Sequence, residues 1–450
     1  MSSLPTSFKL DQFWRDLVNP NGQKVLQILS HSYFSEFTTP RMMEGMRRKL
    51  GLRVNGAFVT VSNGASNFAY CSRSGGTLDA AFANHGDTIA TPCGSKYGGL
   101  DGPEVLTDLV SKFPVRLAEI VVTNSAGLAV EFGLLPANTQ DMMGRTWFGF
   151  DNVQALTARL VYIQHARMLP QFNLVARRGN ARGAATNATV QSRTITKPGG
   201  PSGRITGEDV NCGTGPYAQY GVTVRCEAFG AASAGSADAF PVLGCRFKTD
   251  EATGVQLQNF SESGFTTGDH IGQIAWDDSA VADFYSTVGI PTHILHWRGQ
   301  NANQPTDPGL SEAGANGLDA GAGANYKANE IAVMQRHDAI IAGLGAPPPL
   351  HLFCGQHKTG YTSTFHETQA QALYEIAQAY PRACFLNIYR LSGAMNFDNN
   401  TDGLGYVASG DAVHHNADGD DFCVGLLGVE AARAMAAGSG STLGIPVGID

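Results

Sequence analysis

The stretch PLHLFCGQHKTGYTSTFHETQAQALYEIAQAYPRACFLNIYR, residues 349–390, decides the fold class of this chain. A short apolar run, PLHLFCG, is followed by a segment with helical spacing of its apolar residues, ETQAQALYEIAQAYPR, and then by a second apolar run, ACFLNIYR. Short apolar runs that alternate with amphipathic helices are typical of parallel strands joined by helical crossovers. The stretch therefore predicts a strand–helix–strand unit with parallel strands.

The same alternation extends from this unit toward both ends of the chain. Each short apolar run is again followed by a segment with helical spacing. The pairs are KVLQIL (24–29) with EFTTPRMMEGMRRKLG (36–51), GVQLQNF (254–260) with TTGDHIGQIAWDDSAVADFYSTVG (266–289), and PTHILHW (291–297) with NYKANEIAVMQRHDAIIAGL (325–344); a last helix, DDFCVGLLGVEAARAMAAG (420–438), ends the series. We expect an α/β fold with a parallel sheet and helices on both faces.

A stretch of different character separates the first unit from the others. Between residues 76 and 253 the sequence has period-two segments such as TARLVYIQHARML (157–169) and YGVTVRCEAFG (220–230), separated by clusters of Gly, Asn, Ser and Pro. This pattern is typical of β-rich structure. We expect an inserted β-rich domain over residues 76–253, which interrupts an α/β domain formed by residues 1–75 and 254–450.

The composition is that of a globular protein with a neutral partner. Of the 450 residues, 43% are hydrophobic and 16% are charged, which excludes the disordered and coiled-coil classes. The formal net charge of -8 lacks the basic excess of a protein that binds a phosphate backbone. We therefore expect no nucleic-acid partner, and the composition leaves the oligomeric state open.

The sequence offers no sign of a membrane span or a structural metal site. No apolar run reaches bilayer length, and residues 1–18 lack a basic region followed by an apolar one. We expect no membrane span and, unless a leader was removed, a cytoplasmic protein. The eight cysteines include no CxxC pair, which argues against a zinc site and leaves disulfides open.

The stretch GDAVHHNADGDD, residues 410–421, contains a candidate acid–base pair. In Asp411-x-x-His414 both side chains lie on one turn, where the carboxylate can orient the imidazole of a general base. This spacing is common by chance and needs a nucleophile elsewhere. Ser32, just past the apolar run that ends at Leu29, stands where a parallel sheet presents loops to a ligand and where a helix start supplies backbone N–H groups. The alternative for Ser32 is a helix N-cap.

With these residues in view, the chain resembles the SGNH (GDSL-like) hydrolases, which carry four short blocks on a flavodoxin-like, three-layer fold. The blocks ILSHS (28–32), NFSESGFTT (259–267), PTHILHWRGQNA (291–302) and DAVHHNADG (411–419) occur here in the family's order. The resemblance implies Ser32 as nucleophile, His414 and Asp411 as its partners, and an oxyanion hole formed by the N–H groups of Ser32 and Gly264 and the side chain of Asn301. It implies no metal and no cofactor.

The first and third blocks depart from the family pattern. Ser30-His31 replaces the usual Gly-Asp before the nucleophile, and Ala302 replaces the Asp that commonly follows the third-block Asn. A rival second block, VSNGASNF, would use Gly64 in place of Gly264. We prefer Gly264, because one helix and then the third block follow it directly, as the family order requires.

Other polar residues near the blocks have more than one interpretation. His31, His296 and Trp297 are candidate substrate-binding residues, although a packed pair at a strand end is the alternative for His296 and Trp297. His415, Asp418, Asp420 and Asp421 suit a polar helix start better than a metal site, since carboxylates favour helix N-termini. The Gly/Ala-rich stretch 309–325 is a candidate lid or a surface loop.

We therefore expect a serine esterase that removes acyl groups through an acyl-enzyme. HWRGQN resembles the third block of carbohydrate O-acetylesterases within the superfamily, so an acetylated carbohydrate is the preferred substrate. Two alternatives stay open at this stage. One is a lipid or thioester hydrolase with the same triad, and the other is a non-catalytic carbohydrate-binding protein on a degenerate SGNH fold.

Overall fold

The structure of the protein is a computed structural model. It describes residues 4–30, 51–60, 71–73, 118–122, 129–134, 155–164, 171–178, 188–196, 199, 204–214, 222–228, 238–260, 278–298, 320–357, 363–392, 405–406 and 417–438. The strands, helices and side-chain contacts of the protein described here all belong to these residues.

Strands and helices alternate in the N- and C-terminal parts, and strands dominate between them. The strands are β1 (Ser7–Phe8), β2 (Gln23–Ser30), β3 (Val54–Thr60), β4 (Cys71–Arg73), β5 (Ala118–Val122), β6 (Ala129–Leu134), β7 (Ala155–Ile163), β8 (Gln171–Arg178), β9 (Ala188–Thr196), β10 (Ile205–Thr214), β11 (Val222–Ala228), β12 (Asp238–Thr249), β13 (Gly254–Asn259), β14 (His293–Trp297), β15 (Leu350–Cys354) and β16 (Ala383–Leu386). The helices are α1 (Leu10–Val18), α2 (Asp278–Val288), α3 (Ala320–Gly343), α4 (Ser363–Ala379), α5 (Ile388–Leu391) and α6 (Ala417–Gly438).

Six parallel strands form the centre of the larger sheet, in the order β16-β15-β14-β2-β13-β3. Their side chains are buried along nearly continuous runs, as in a sheet covered on both faces. Without β3, the order of the five remaining strands in the chain reads 2-1-3-4-5, which is the flavodoxin-like order. The predicted α/β fold with a flavodoxin-like parallel sheet is confirmed.

Helices cover the two faces of this sheet. Phe13 of α1 contacts the ring of His293, while the neighbouring Ile294 packs in one hydrophobic cluster with Phe284 of α2 and Val333 of α3. Successive side chains of a strand point to opposite faces, so α1 lies on one side of β14 and α2 and α3 lie on the other. The predicted three layers are therefore present.

The β-rich part of the chain continues the same sheet. Strand β12 pairs antiparallel with β3, β7 pairs with β12, and β10 pairs with β7. A second sheet, β4-β6-β11-β8-β9, is antiparallel throughout. Since four strands of residues 76–253 (β5, β7, β10 and β12) belong to the sheet of the α/β part, hydrogen bonding alone does not define an inserted domain. The division into residues 1–75, 76–253 and 254–450 stays a prediction.

Side chains from the β-rich strands also reach helix α2. Arg159 of β7 and Arg246 of β12 both donate to the backbone carbonyl of Thr287, at 3.3 Å each. A cation at the C-terminus of a helix is favoured by the orphan carbonyls and the helix dipole. Arg204 forms a second connection through its ion pair with Asp283 on α2.

The sequence analysis predicted neither helix α1 nor strand β3. Helix α1 buries Leu10, Phe13, Trp14 and Leu17, and strand β3 lies between β13 and β12. In addition, α3 begins at Ala320, so the last six residues of the Gly/Ala-rich stretch 309–325 are helical, and the rest lies outside the described residues.

Candidate active site

The ends of three neighbouring strands define the candidate active site. Strand β2 lies between β13 and β14, and in their register Ser30 pairs with Trp297 and Ile28 pairs with Asn259. All three strands are parallel, so their carboxyl ends meet at one edge of the sheet. The chain order of the strands reverses at β2. Open α/β sheets bind ligands at the carboxyl ends of the strands at such a point.

The predicted catalytic residues follow these strand ends in the chain. Ser32 is the second residue after β2, Gly264 is the fifth after β13, and Asn301 is the fourth after β14. Ser32, Gly264, Asn301, Asp411 and His414, together with His31 and the rival Gly64, lie outside the described residues. Their roles therefore stay predictions, which the positions of the flanking strands support.

The Asp411–His414 motif directly precedes helix α6. That helix begins at Ala417 and packs against α1 and α5, and α5 itself starts two residues after the carboxyl end of β16. Asp418 is exposed in the first turn of α6, as expected for a polar helix start.

The side chains of His296 and Trp297 are buried in the protein. His296 stacks on Phe353, with 4.4 Å between ring centroids, and its Nε2 lies 2.9 Å from Nδ1 of His351. Trp297 has no exposed surface. Both side chains are therefore packed at the strand end, which was the alternative interpretation in the sequence analysis. A direct contact of either residue with substrate stays a prediction.

Ser30 connects the ends of β2 and β14. Its buried hydroxyl donates to the backbone carbonyl of Trp297 at 2.7 Å. Ser30, which stands where the SGNH sequence pattern has Gly two positions before the predicted nucleophile, thus makes a bond between the strands that precede Ser32 and Asn301 in the chain. The substitution therefore has a structural role.

Arg298 is a buried residue at this edge that the sequence analysis did not single out. Its Nη2 lies 2.5 Å from Oε2 of Glu330 on α3, and both side chains have no exposed surface. Its backbone carbonyl accepts hydrogen bonds from the Tyr326 hydroxyl, the Gln356 amide and the Gln369 amide, at 3.0, 3.0 and 3.3 Å. The available signal in the sequence was an arginine placed directly after the strand HILHW, three residues before Asn301.

A chain of hydrogen bonds runs from Arg298 toward the surface. Arg298 can only donate, so Nδ1 of His296 accepts its Nη2–H at 2.9 Å. Nε2 of His296 then carries the hydrogen and donates to Nδ1 of His351, whose Nε2 donates to Asp338 at 2.9 Å. Burial lowers the pKa of His351 although the Asp338 carboxylate opposes this shift. Burial therefore favours the neutral imidazole of His351.

A second buried polar group lies under the same strands. The Tyr285 hydroxyl is 2.5 Å from Nδ1 of His337 and 3.4 Å from the side-chain oxygen of Gln27 on β2. Burial raises the pKa of Tyr285 and lowers the pKa of His337 well below its ordinary value. These groups stay neutral and act as hydrogen-bonding partners within the core.

The cysteine side chains that the structure describes are buried, and none of them belongs to a group of metal ligands. Cys212, Cys245, Cys354, Cys384 and Cys423 are buried free thiols, and burial raises the pKa of the first four. Within the described ranges, no group of three or more His, Cys, Asp or Glu side chains is placed to hold a metal ion. His414 and His415 lie outside those ranges, so the expectation of a metal-free reaction stays a prediction.

None of the helices in the described part of the chain combines the length and the apolar character needed to cross a bilayer.

Comparisons with known proteins support the fold. No protein-family model and no curated protein matches the chain. Among solved structures, the chain is similar to a peptidoglycan O-acetylesterase, with a TM-score of 0.56 and 12% identity over 95% of this chain and 96% of that chain. A family two carbohydrate esterase from Cellvibrio japonicus matches with a TM-score of 0.26 and 10% identity over 71% and 91% of the two chains, which is too distant to support an argument. At 12% identity, the similarity to the peptidoglycan O-acetylesterase shows the fold alone. This similarity agrees with the three-layer α/β fold and the flavodoxin-like order of its parallel strands.

Proposed function

We propose that the protein is a serine esterase that removes acyl groups, and in particular O-acetyl groups, from a carbohydrate. The observation that carries the proposal is the position of β2 between β13 and β14. This strand order brings the carboxyl ends of the three strands that precede Ser32, Gly264 and Asn301 in the chain to one edge of the sheet, which supports a common site for these residues.

The proposed reaction has two steps with one acyl-enzyme intermediate. His414, oriented by Asp411, takes the proton of the Ser32 hydroxyl as its oxygen attacks the ester carbonyl. The N–H groups of Ser32 and Gly264 and the Asn301 amide stabilise the oxyanion. His414 then protonates the leaving sugar oxygen, which departs as a hydroxyl. In the second step His414 takes a proton from water, the resulting hydroxide attacks the acyl-enzyme, and the imidazolium returns that proton to Ser32 as acetate leaves.

The proposed substrate class is based on the third block and on the structural neighbour. HWRGQN resembles the third block of carbohydrate O-acetylesterases, and one solved structure that is similar over 95% of this chain is a peptidoglycan O-acetylesterase. An acetyl group on a polymeric sugar is therefore the substrate to test first.

Acetate release from a panel of acetylated polysaccharides, including O-acetylated peptidoglycan and acetylated xylan, tests the proposal. We expect acetate from at least one polymer. Ser32→Ala should reduce the rate by several orders of magnitude, because a triad acts as a unit and the residual rate comes from the oxyanion site alone. A serine-directed phosphonate should add its mass to Ser32 in the wild-type protein.

Three outcomes would contradict this assignment in different ways. Near-wild-type activity of Ser32→Ala would remove Ser32 as the nucleophile. A preference for long-chain acyl esters or thioesters over acetyl esters would favour a lipid or thioester hydrolase. Binding of a polysaccharide without turnover of any ester would favour a non-catalytic carbohydrate-binding protein.

A further inference from the structure

The buried ion pair between Arg298 and Glu330 stands beside the candidate active site but takes no part in the proposed reaction. Arg298 is the first residue after β14, and Glu330 belongs to α3, which covers that strand. The pair therefore joins the carboxyl end of one strand to a helix on one face of the sheet.

A buried ion pair of this kind contributes little to the stability of a fold. Transfer of two charges into the interior costs much of what their attraction returns, and apolar residues of similar volume are often as good or better. In the described part of the chain, Nε and Nη1 of Arg298 and Oε1 of Glu330 have no hydrogen-bond partner. Burial raises the pKa of Glu330 although the guanidinium opposes this shift. The pair therefore calls for an explanation other than stability.

The surroundings of the pair hold the backbone at the end of β14. The Trp297 carbonyl accepts the Ser30 hydroxyl of β2. The next carbonyl, that of Arg298, accepts three side-chain donors, which are Tyr326 of α3, Gln356 after β15 and Gln369 of α4. Two consecutive peptide groups are thus fixed from four separate parts of the fold, directly before the segment that contains Asn301.

We propose that Arg298 and Glu330 are positioning residues that fix the carboxyl end of β14 and thereby the placement of Asn301 in the oxyanion hole. The catalytic part of this inference rests on the proposed esterase function, while the positioning of the backbone does not. An oxyanion donor stabilises charge only if it stands at the correct place before the reaction, and displacement by about 1 Å can reduce the rate on the order of a hundredfold. A buried ion pair at the end of β14 can hold the following backbone in one position.

The test replaces the ion pair by apolar residues of similar volume, in the double variant Arg298→Met with Glu330→Leu. This change removes both charges together and so avoids an unpaired buried ion. The matched control is Lys327→Met with Glu375→Leu, which removes a partly exposed pair at 2.7 Å between α3 and α4, close to the same site along the helix.

Two measurements are made on each variant, and thermal unfolding verifies that it is folded. Kinetics on an aryl acetate should show kcat reduced on the order of ten- to a hundredfold with KM changed by less than about twofold, since the Asn301 amide acts in the transition state. Amide hydrogen exchange should be faster in peptides that cover residues 299–304. The control variant should leave kcat, KM and this exchange unchanged.

The two readouts separate failure of this inference from failure of the proposed function. Unchanged kcat and unchanged exchange in the folded double variant would overturn the positioning role. If the wild-type protein hydrolyses no ester, the proposed function fails, and the exchange measurement alone decides whether the pair positions this segment. If the double variant does not fold, Glu330→Gln replaces it, because this change removes the negative charge of the pair and keeps the volume of the side chain. Faster exchange of residues 299–304 in that variant supports the inference, and unchanged exchange contradicts it.

Discussion

At the scale of single residues, the proposed acid–base pair has the most direct consequence for activity. If His414 is the general base, activity should rise with pH through one ionisation near the ordinary histidine pKa of about 6.5, because only the neutral imidazole accepts the serine proton. Chelators should have no effect. The measurement is kcat/KM for an aryl acetate between pH 5 and 9, with circular dichroism at each pH to verify that the protein is folded.

Substitutions at the same pair distinguish a triad from a metal loop. His414→Ala should cost nearly as much activity as Ser32→Ala. Asp411→Asn should cost less, since asparagine still contacts the imidazole but no longer stabilises the imidazolium. His415→Ala is the matched control and should be mild. Activity lost on chelation and restored by a divalent metal, or a larger loss for His415→Ala than for His414→Ala, would identify a metal loop.

Single residues also show where the sequence was informative and where it was not. Ser32, Asp411 and His414 belong to short local patterns that can be read without a structure. The partnership of Arg298 with Glu330 has no such pattern, because it joins a strand end to a helix through a contact that only the packing of α3 on the sheet creates. His296 was a candidate for substrate contact for the same reason, as its neighbours His351 and Phe353 belong to another strand.

At the scale of elements, the β-rich strands and the α/β part share one hydrophobic cluster. Val161 of β7 and Leu243 of β12 pack in the cluster that contains Leu29 of β2 and Phe284 of α2. Truncation of either a β-rich or an α/β member of this cluster should therefore destabilise the same structure. The cluster makes cooperative unfolding of both parts the expected behaviour.

Leu243→Ala and Phe284→Ala test this expectation. Each should lower the free energy of unfolding by roughly 2–5 kcal/mol, since each leaves a cavity in a fully buried site. Both should shift one common transition in urea, followed by circular dichroism and by tryptophan fluorescence. The exposed Val190 of β9 supplies the control, and Val190→Ala should change stability by less than about 0.5 kcal/mol. Two separate transitions, of which Leu243→Ala shifts only one, would instead support an independent inserted domain.

Long helices and buried strands that alternate along the chain were predictable from the sequence, whereas short or partly polar elements were not. Strands β2 and β13 to β16 and helices α3, α4 and α6 match their predicted segments. Helix α1 has a clear apolar face but only nine residues, and so short a segment is a weak signal from the sequence alone. Strand β3, VNGAFVT, has a polar residue and a glycine near its start, and its place between β13 and β12 depends on pairing with distant strands.

At the scale of the whole molecule, buried neutral histidines link stability to pH. Burial lowers the pKa of His293 to about 3 and lowers the pKa values of His337 and His351 as well. In the unfolded chain these groups titrate near 6.5, so below that pH the unfolded state binds more protons than the native state. Their contribution to stability is complete above about pH 6.5 and is lost progressively as the pH falls toward the native pKa values.

Urea unfolding at several pH values between 4 and 8 measures this effect. Each such histidine should contribute a slope of about 1.4 kcal/mol per pH unit to the free energy of unfolding between its two pKa values. His293→Leu should reduce the acid slope by close to one proton, since His293 packs against Phe13 and its Nδ1 bonds only to Thr292 among the contacts described. An acid slope that His293→Leu leaves unchanged would show that His293 is not held neutral by its surroundings.

The position of β13 beside β2 also determines when the candidate site can form during folding. The side chains of Gln27 and Gln258, which meet across these two strands, are separated by 231 positions in the chain. Contacts between such distant segments carry a large loop-closure cost and form slowly, and a ribosome delivers the second strand only after the whole β-rich segment has been synthesised. Until then β2 has neither β13 nor β14 beside it, and its apolar side chains lack their native cover. A nascent chain that stops before residue 254 would therefore expose a hydrophobic strand edge and depend on chaperones, although it already contains Ser32.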